Sequence, residues 1–66
     1  MKNTVKIERA RHGISQDDLA KQIGVSRQTI HSIEKGKYIP STVLALKLAR
    51  HFGVQVEELF ELESED

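Results

Sequence analysis

Apolar positions recur at helical spacing along most of the chain, and four glycines interrupt that pattern. They lie at positions 13, 24, 36 and 53. Each follows a segment that is compatible with a helix, and glycine is typical of the position just after a helix end. The pattern therefore predicts five helices and an all-α fold.

Residues 15–35 are predicted to form two short helices joined by a tight turn. Ser15 precedes an apolar-periodic stretch and Asp18 follows three residues later, the spacing at which a hydroxyl and a carboxylate cap a helix. The first helix of the pair therefore begins at about Gln16, and Gly24 supplies the left-handed backbone of the turn. The stripe that this helix buries consists of Leu19, Ala20 and Ile23.

Ser26 is placed to cap the second helix of the pair. The run from Arg27 to Lys35 buries Ile30 and Ile33 and leaves a polar outer face. Two helices about a three-residue turn make a helix-turn-helix, a motif that places its second helix in the DNA major groove. Since a small side chain is needed where the two helices cross, we expect Ala20→Leu to unfold or distort the unit.

Three further helices flank this motif. The first runs from about Asn3, a candidate cap, to His12. The fourth follows Pro40-Ser41 and ends at Phe52, because proline disfavours helix before it and serine caps the helix after it. The short fifth helix carries apolar residues at helical spacing, namely Val56, Leu59, Phe60 and Leu62. From Glu63 the chain is acidic, and we expect residues 63–66 to be frayed.

Length and composition indicate one small domain over residues 1–66. A core of this size is marginal, so oligomerisation is a reasonable source of extra burial. The chain has no cysteine, which excludes disulfides and thiolate zinc sites and fits a reducing compartment. No apolar run approaches the roughly 20 residues of a membrane span. We therefore expect a soluble cytoplasmic protein that does not engage membranes.

The formal net charge of zero hides a division between the two halves of the chain. Residues 1–37 hold eight lysines and arginines against four carboxylates, a balance of +4, and residues 38–66 hold two against six, a balance of −4. The basic half contains the helix-turn-helix. This placement favours a nucleic-acid partner, although acidic tails and scattered lysines also serve solubility alone.

These segments together resemble one family. The residues that carry the resemblance are Ser15-Gln16, Leu19-Ala20, Gly24-Val25-Ser26-Arg27-Gln28-Thr29-Ile30, Ile33-Glu34-Lys35-Gly36-Lys37, Tyr38-Ile39-Pro40-Ser41, Leu44-Ala45-Leu46-Lys47-Leu48-Ala49, Phe52-Gly53-Val54 and Glu57-Glu58-Leu59-Phe60. Together they are similar to the lambda-repressor-like, Cro/C1-type transcriptional regulators, especially the short stand-alone members. The resemblance implies a five-helix DNA-binding domain whose third helix enters the major groove.

The resemblance also implies roles for individual residues. Arg27 and Gln28, and Ser32 one turn later, fall where the family places side chains that contact bases or clamp the DNA backbone. Gln16 falls where a glutamine of the second helix holds a phosphate. Arg9 and Glu34 fall where related repressors carry a partly buried ion pair. Some dimeric short members pair strands from the chain ends, which implies a small β-ribbon of residues 2–4 with residues 62–64. Two departures from the family pattern are Gln55 at the fifth-helix cap and Glu8 at a position that is more often apolar.

The chemistry of the third helix adds its own candidates. Arg27 can offer two donors to guanine and Gln28 a donor and an acceptor to adenine, so we predict that they read bases. Thr29 either touches a thymine methyl or only packs, and His31 either reaches DNA or is an ordinary surface histidine. The donors available for phosphates are Gln16, Lys35, Lys37 and Tyr38.

The leading hypothesis is a repressor that binds a near-palindromic operator in double-stranded DNA as a homodimer. The dimer interface is predicted to draw on Val43, Leu46, Phe52, Phe60 and Leu62, because the fourth and fifth helices have more apolar surface than one buried face requires. The alternative is an antitoxin-like module that uses this surface to mask a partner protein. The serines are explained as caps and the histidines lack metal-ligand spacing, so we expect no enzyme, no metal and no cofactor.

Overall fold

The computed structural model describes residues 1–66 and is mostly helical. One very short strand precedes the five helices and a second one follows them, and the two strands pair with each other. In chain order the elements are β1 (Lys2–Asn3), α1 (Val5–His12), α2 (Gln16–Ile23), α3 (Arg27–Glu34), α4 (Thr42–Phe52), α5 (Val56–Leu59) and β2 (Phe60–Glu61). The predicted number of helices and the all-α class with a small ribbon are therefore confirmed.

Serine hydroxyls define where α2, α3 and α4 begin. The Oγ atoms of Ser15, Ser26 and Ser41 accept the backbone N–H three residues later at 3.0, 3.1 and 3.2 Å. Each bond satisfies one of the N–H groups that the first turn of a helix leaves without an intrahelical partner. The starts of these helices are as predicted from the sequence.

The predicted start of α1 at Asn3 is wrong by two residues. Asn3 lies in β1, and the helix begins at Val5 after Thr4. The Asn3 side chain still serves the helix start, because its Oδ1 accepts from the Val5 N–H at 3.2 Å. Its Nδ2 donates to the Ile33 carbonyl at 2.8 Å, which ties the chain start to the end of α3.

The buried side of α1 combines an apolar and a charged residue. Ile7 is 57% exposed, whereas Glu8 is only 9% exposed. Val5 is fully buried, and Glu8 follows it on the same side of the helix. The Glu8 carboxylate accepts a long hydrogen bond from Arg11 at 3.5 Å. A polar residue therefore occupies the position that the family pattern usually gives to an apolar one.

The two strands form an antiparallel ribbon within the chain. Lys2 pairs with Glu61 and Asn3 pairs with Phe60, so the second strand lies two residues earlier than the predicted 62–64. The predicted fifth helix is correspondingly too long, because α5 ends at Leu59 and the chain becomes extended at Phe60. One further backbone hydrogen bond joins the chain start to the end of α5, because the Thr4 N–H donates to the Leu59 carbonyl at 2.9 Å.

The last residues, which were expected to be frayed, form a turn beside the start of the chain. The Glu63 N–H donates to Asp66 Oδ2 at 2.8 Å. The Met1 ammonium lies 2.9 Å from Glu63 Oε1 and 3.1 Å from Asp66 Oδ2. All of these carboxylates are at the surface, so the turn adds order without adding to the core.

One apolar core joins all five helices. Its members are Val5, Leu19, Ala20, Ile23, Ile30, Ile33, Leu44, Leu48, Ala49, Phe52, Leu59 and Phe60. The α2 and α3 stripes predicted from the sequence are all included. None of the helices is long and apolar enough to cross a bilayer.

Candidate nucleic-acid interface

The turn between α2 and α3 sets the direction in which α3 leaves the motif. Gly24 has a φ of +86°, in the left-handed region that residues with a side chain rarely adopt. The N–H groups of Gly24 and Val25 both donate to the Ala20 carbonyl, at 2.8 and 3.0 Å. The α2 helix is therefore closed by backbone hydrogen bonds, and α3 starts two residues later at a fixed angle.

The first turn of α3 projects polar side chains into solvent. Arg27 and Gln28 are exposed, while Ile30 and Ile33 are fully buried on the opposite side of the helix. Gln28 Nε2 donates to Ser32 Oγ at 3.3 Å, one turn further on. Two of the predicted base-contacting side chains therefore lie side by side, and they face away from the core.

Thr29 and His31 complete the set of residues predicted to contact bases. Thr29 is half-buried, and its hydroxyl lies 2.9 Å from that of Ser26 within the cap of the helix. Its hydroxyl is thus engaged in the helix cap. His31 is exposed and lies beside the start of α2, with its Nδ1 atom 3.4 Å from Gln16 Nε2.

A partly buried ion pair connects α1 to α3. Arg9 Nε and Nη2 donate to the two carboxylate oxygens of Glu34 at 2.8 and 3.2 Å, a bidentate arrangement. The Glu34 side chain is 5% exposed and the Arg9 side chain 18%. Gln16 donates to the same carboxylate at 3.1 Å, and Arg9 also donates to the Ile14 carbonyl at 3.1 Å. Glu34 is therefore directed into the protein and does not face the outer surface of α3.

The protonation of this pair follows from its surroundings. Burial alone would raise the pKa of Glu34, but the hydrogen bonds from Arg9 and Gln16 outweigh burial and hold that pKa below its usual value. The hydrogen bond to Glu34 raises the pKa of Arg9 above its already high value. Both groups are charged at neutral pH, and their charges compensate each other.

The loop after α3 contributes exposed donors. Lys35 and Lys37 are exposed, and the Tyr38 side chain is partly so. The N–H groups of Lys37 and Tyr38 donate to the Ser32 carbonyl at 3.0 and 3.3 Å. The loop is thereby held against the end of α3, and the three predicted phosphate-contacting residues follow one another along it.

A polar cleft lies where α1, α2 and α3 meet, and it has a volume of about 440 Å³. No apolar side chain lines it. Its walls are formed by Lys6, Arg9, Gln16, Arg27, His31, Glu34 and Lys35. Lys6 is the member that was not predicted from the sequence. It lies three residues before Arg9 on α1, and this helical spacing could have assigned it to the same face.

The residues predicted for a dimer interface fall into two groups. Phe52 and Phe60 are only 4% and 9% exposed because they belong to the core of the single chain, so they present almost no surface to a partner. Val43, Leu46 and Leu62 are exposed. Only three of the five residues predicted for the dimer interface are therefore available to a partner. Val43 and Leu46 border a groove between α4 and α5 that also includes Val54 and Val56, which were not predicted.

Comparison with known proteins agrees with this geometry. A family model described as Helix-turn-helix matches residues 5–59, which is most of the chain. The chain belongs to the helix-turn-helix family of the Cro/C1 type. Its helices and small antiparallel sheet fit the lambda-repressor-like fold of that family.

Full-length relatives occur in both archaea and bacteria. An uncharacterized HTH-type transcriptional regulator of Methanocaldococcus jannaschii is 56% identical over 66 residues, which cover all of both chains. The uncharacterized HTH-type transcriptional regulator YgzD of Bacillus subtilis is 52% identical, again over the whole of both chains. A third, from Archaeoglobus fulgidus, is 46% identical over all of this chain and 94% of its own length.

Proposed function

We propose that this protein is a sequence-specific DNA-binding transcriptional regulator that binds a near-palindromic operator as a homodimer and acts as a repressor. The observation that carries the proposal is the outward first turn of α3, where exposed Arg27 and Gln28 are backed by fully buried Ile30 and Ile33. A helix presented in this way fits the major groove with its N-terminal residues at the base edges.

Base recognition is assigned to the exposed face of α3. Arg27 donates to O6 and N7 of guanine, and Gln28 pairs with N6 and N7 of adenine, each pair discriminating by about 1–3 kcal/mol. Ser32 holds the Gln28 amide at 3.3 Å, which limits its orientations before DNA arrives. His31 lies one turn beyond Arg27 on the same helix. Thr29 supplies its methyl group, because its hydroxyl is already in contact with Ser26.

Phosphate contacts are assigned to the margins of this face. Lys35, Lys37 and Tyr38 follow the end of α3. Gln16, at the start of α2, lines the same cleft as Lys35 and reaches a phosphate by giving up its long contact to His31 and keeping its shorter one to Glu34. Each phosphate neutralised releases counterions, so the log–log slope of affinity against salt changes by about −0.9 per contact.

The homodimer rests on the exposed apolar side chains of α4. Val43 and Leu46 are 64% and 54% exposed on the border of the α4–α5 groove. For such a dimer to read a near-palindromic site, its two α3 helices must lie about 34–36 Å apart, the spacing of successive major grooves. Repression then results when the occupied site overlaps a promoter.

Selection of bound duplexes from a random DNA pool tests this function. We expect an enriched inverted repeat for the unsubstituted protein. Gln28→Ala and Arg27→Ala are each expected to lose preference at one base pair per half-site, because each removes one pair of base contacts. Gln22→Ala, on an exposed position of α2, is the control and leaves the motif unchanged. Recovery of no common motif would contradict sequence-specific binding.

The same apolar groove supports a second candidate, an antitoxin-like protein that masks a different partner and also binds its own operator. The two candidates differ in what covers Val43 and Leu46. A purified protein that is a stable dimer and binds the operator with nanomolar, salt-sensitive affinity favours the first. A monomer that becomes stable only with a co-purified neighbouring protein favours the second.

A further inference from the structure

The polar cleft between α1, α2 and α3 carries an excess of positive charge. Four of its side chains are fully positive, Lys6, Arg9, Arg27 and Lys35, and only Glu34 is negative. Arg9 is the one cation in the cleft with a carboxylate partner. The other three form no ion pair within the chain. An anion from outside is therefore favoured in this cleft.

The walls of the cleft also provide neutral donors. Gln16 and Arg27 are the first residues of α2 and α3, and both helices leave backbone N–H groups free in their first turn. The helix macrodipoles add partial positive charge at the same place. The Arg9–Glu34 pair fills the inner wall and fixes the Gln16 amide, so the donors are held in place before an anion arrives.

Lys6 lines the cleft from α1, together with Arg9. It lies one helical turn before Arg9 on α1, and its charge is close enough to Glu34 to contribute to lowering the pKa of that carboxyl. Lys6 is exposed, so its ammonium is free to swing toward an anion at the mouth of the cleft.

We propose that this cleft seats one phosphate of the DNA backbone and that Lys6 binds that phosphate from α1, outside the helix-turn-helix. The inference rests on the proposed DNA-binding function and adds a third helix to the interface. Phosphate is the chemistry that suits lysine, arginine and helix N-terminal donors together. A duplex read by Arg27 and Gln28 also runs past this cleft, since Arg27 lines both the cleft and the neighbouring surface that includes Gln28.

The test compares two charge-removing substitutions, Lys6→Gln and Lys21→Gln. Lys21 is also an exposed helical lysine, but it lines neither the cleft nor the α4–α5 groove and serves as the matched control. Affinity for an operator and for an unrelated duplex is measured at several salt concentrations. We expect Lys6→Gln to weaken both by roughly fivefold to tenfold at 0.1 M salt and to reduce the salt slope by about 0.9. Lys6→Arg is expected to restore the slope, and Lys21→Gln to leave it unchanged.

Three results would overturn the inference. The first is equal salt slopes for Lys6→Gln and Lys21→Gln in proteins that melt like the unsubstituted chain. The second combines two observations: inorganic phosphate shifts the Lys6 and Gln16 amide resonances, but Lys6→Gln leaves DNA affinity unchanged. The cleft would then bind free phosphate and not the DNA backbone. The third is no binding of any duplex by the unsubstituted protein, a result that would also reject the proposed function.

Discussion

At the scale of single residues, the Arg9–Glu34 pair explains how a carboxylate can belong to a helix that faces DNA. Glu34 is turned inward, where Arg9 neutralises it and Gln16 donates a further hydrogen bond. The outer surface of α3 is thereby free of negative charge, because Glu34 is its only acidic residue. The same contact fixes α1 against α3, which places Lys6 beside the cleft.

We predict that Glu34→Gln destabilises the protein at neutral pH and that the difference disappears in acid. The variant leaves Arg9 without its counter-charge. Because the pair is only partly buried, we expect its loss to lower the free energy of unfolding by about 1–3 kcal/mol. Since the folded pKa of Glu34 lies below the usual value of 4.5, its stabilisation is present above that pH. It is lost as the pH falls through the folded pKa.

Urea denaturation of both proteins between pH 3 and pH 7 measures this difference. Glu65→Gln is the control, because Glu65 is exposed and has no ion pair. A constant difference between Glu34→Gln and the parent across the whole range would show that the charge of Glu34 contributes nothing.

At the scale of secondary structure, the predictable helix ends are the ones that local chemistry determines. Serine caps begin α2, α3 and α4, and glycine ends α1, α2 and α4, so the sequence pattern located these boundaries closely. The start of α1 and the end of α5 were misplaced. Both are set by pairing of β1 with β2, a contact between residues almost sixty positions apart that no local pattern reports.

The functional residues also differ in whether local sequence determines their position. The outward position of Arg27 and Gln28 follows from helical periodicity and from the cap at Ser26, so it could be inferred from the sequence. The burial of Phe52 and Phe60 could not, because an apolar side chain has the same pattern whether it faces the core of its own chain or a partner. Lys6 could have been inferred, because it lies three residues before Arg9 on the same helix and lines the same cleft.

The crossing of α2 and α3 gives a prediction at this scale. Ala20 is 2% exposed in the core, so Ala20→Leu forces additional atoms between the helices and is expected to cost about 1–3 kcal/mol. Because the displacement moves α3, DNA affinity is also expected to fall. Thermal melting and operator binding are measured beside Gln22→Leu, an exposed α2 position that adds the same side chain without crowding. Parental melting and affinity for Ala20→Leu would contradict the close crossing.

At the scale of the whole molecule, charge and apolar surface are separated. Four of the ten basic side chains line the polar cleft, while six of the ten carboxylates lie in α5, β2 and the last residues. The exposed apolar side chains of α4 lie on neither of these surfaces and border their own groove. This separation is consistent with one face for DNA and another for a second copy.

We predict that Leu46→Gln weakens the homodimer and that Ile7→Gln does not. The two side chains are similarly exposed, at 54% and 57%, but only Leu46 borders the α4–α5 groove. Each substitution occurs twice in a two-fold symmetric interface, once in each subunit. The dimer dissociation constant is therefore expected to rise by at least about tenfold. Sedimentation equilibrium over a range of concentrations measures this constant. Equal effects of the two substitutions would reject the groove as the interface.

The most direct test of the central claim is a titration of the isotope-labelled protein with a selected operator duplex, followed by backbone amide resonances. We expect the largest changes from Arg27 to Ser32, with smaller changes at Gln16 and at Lys35 to Tyr38. An unrelated duplex is expected to move the second group more than the first. Changes confined to α4 and α5, with the start of α3 undisturbed, would contradict the claim that α3 contacts DNA bases.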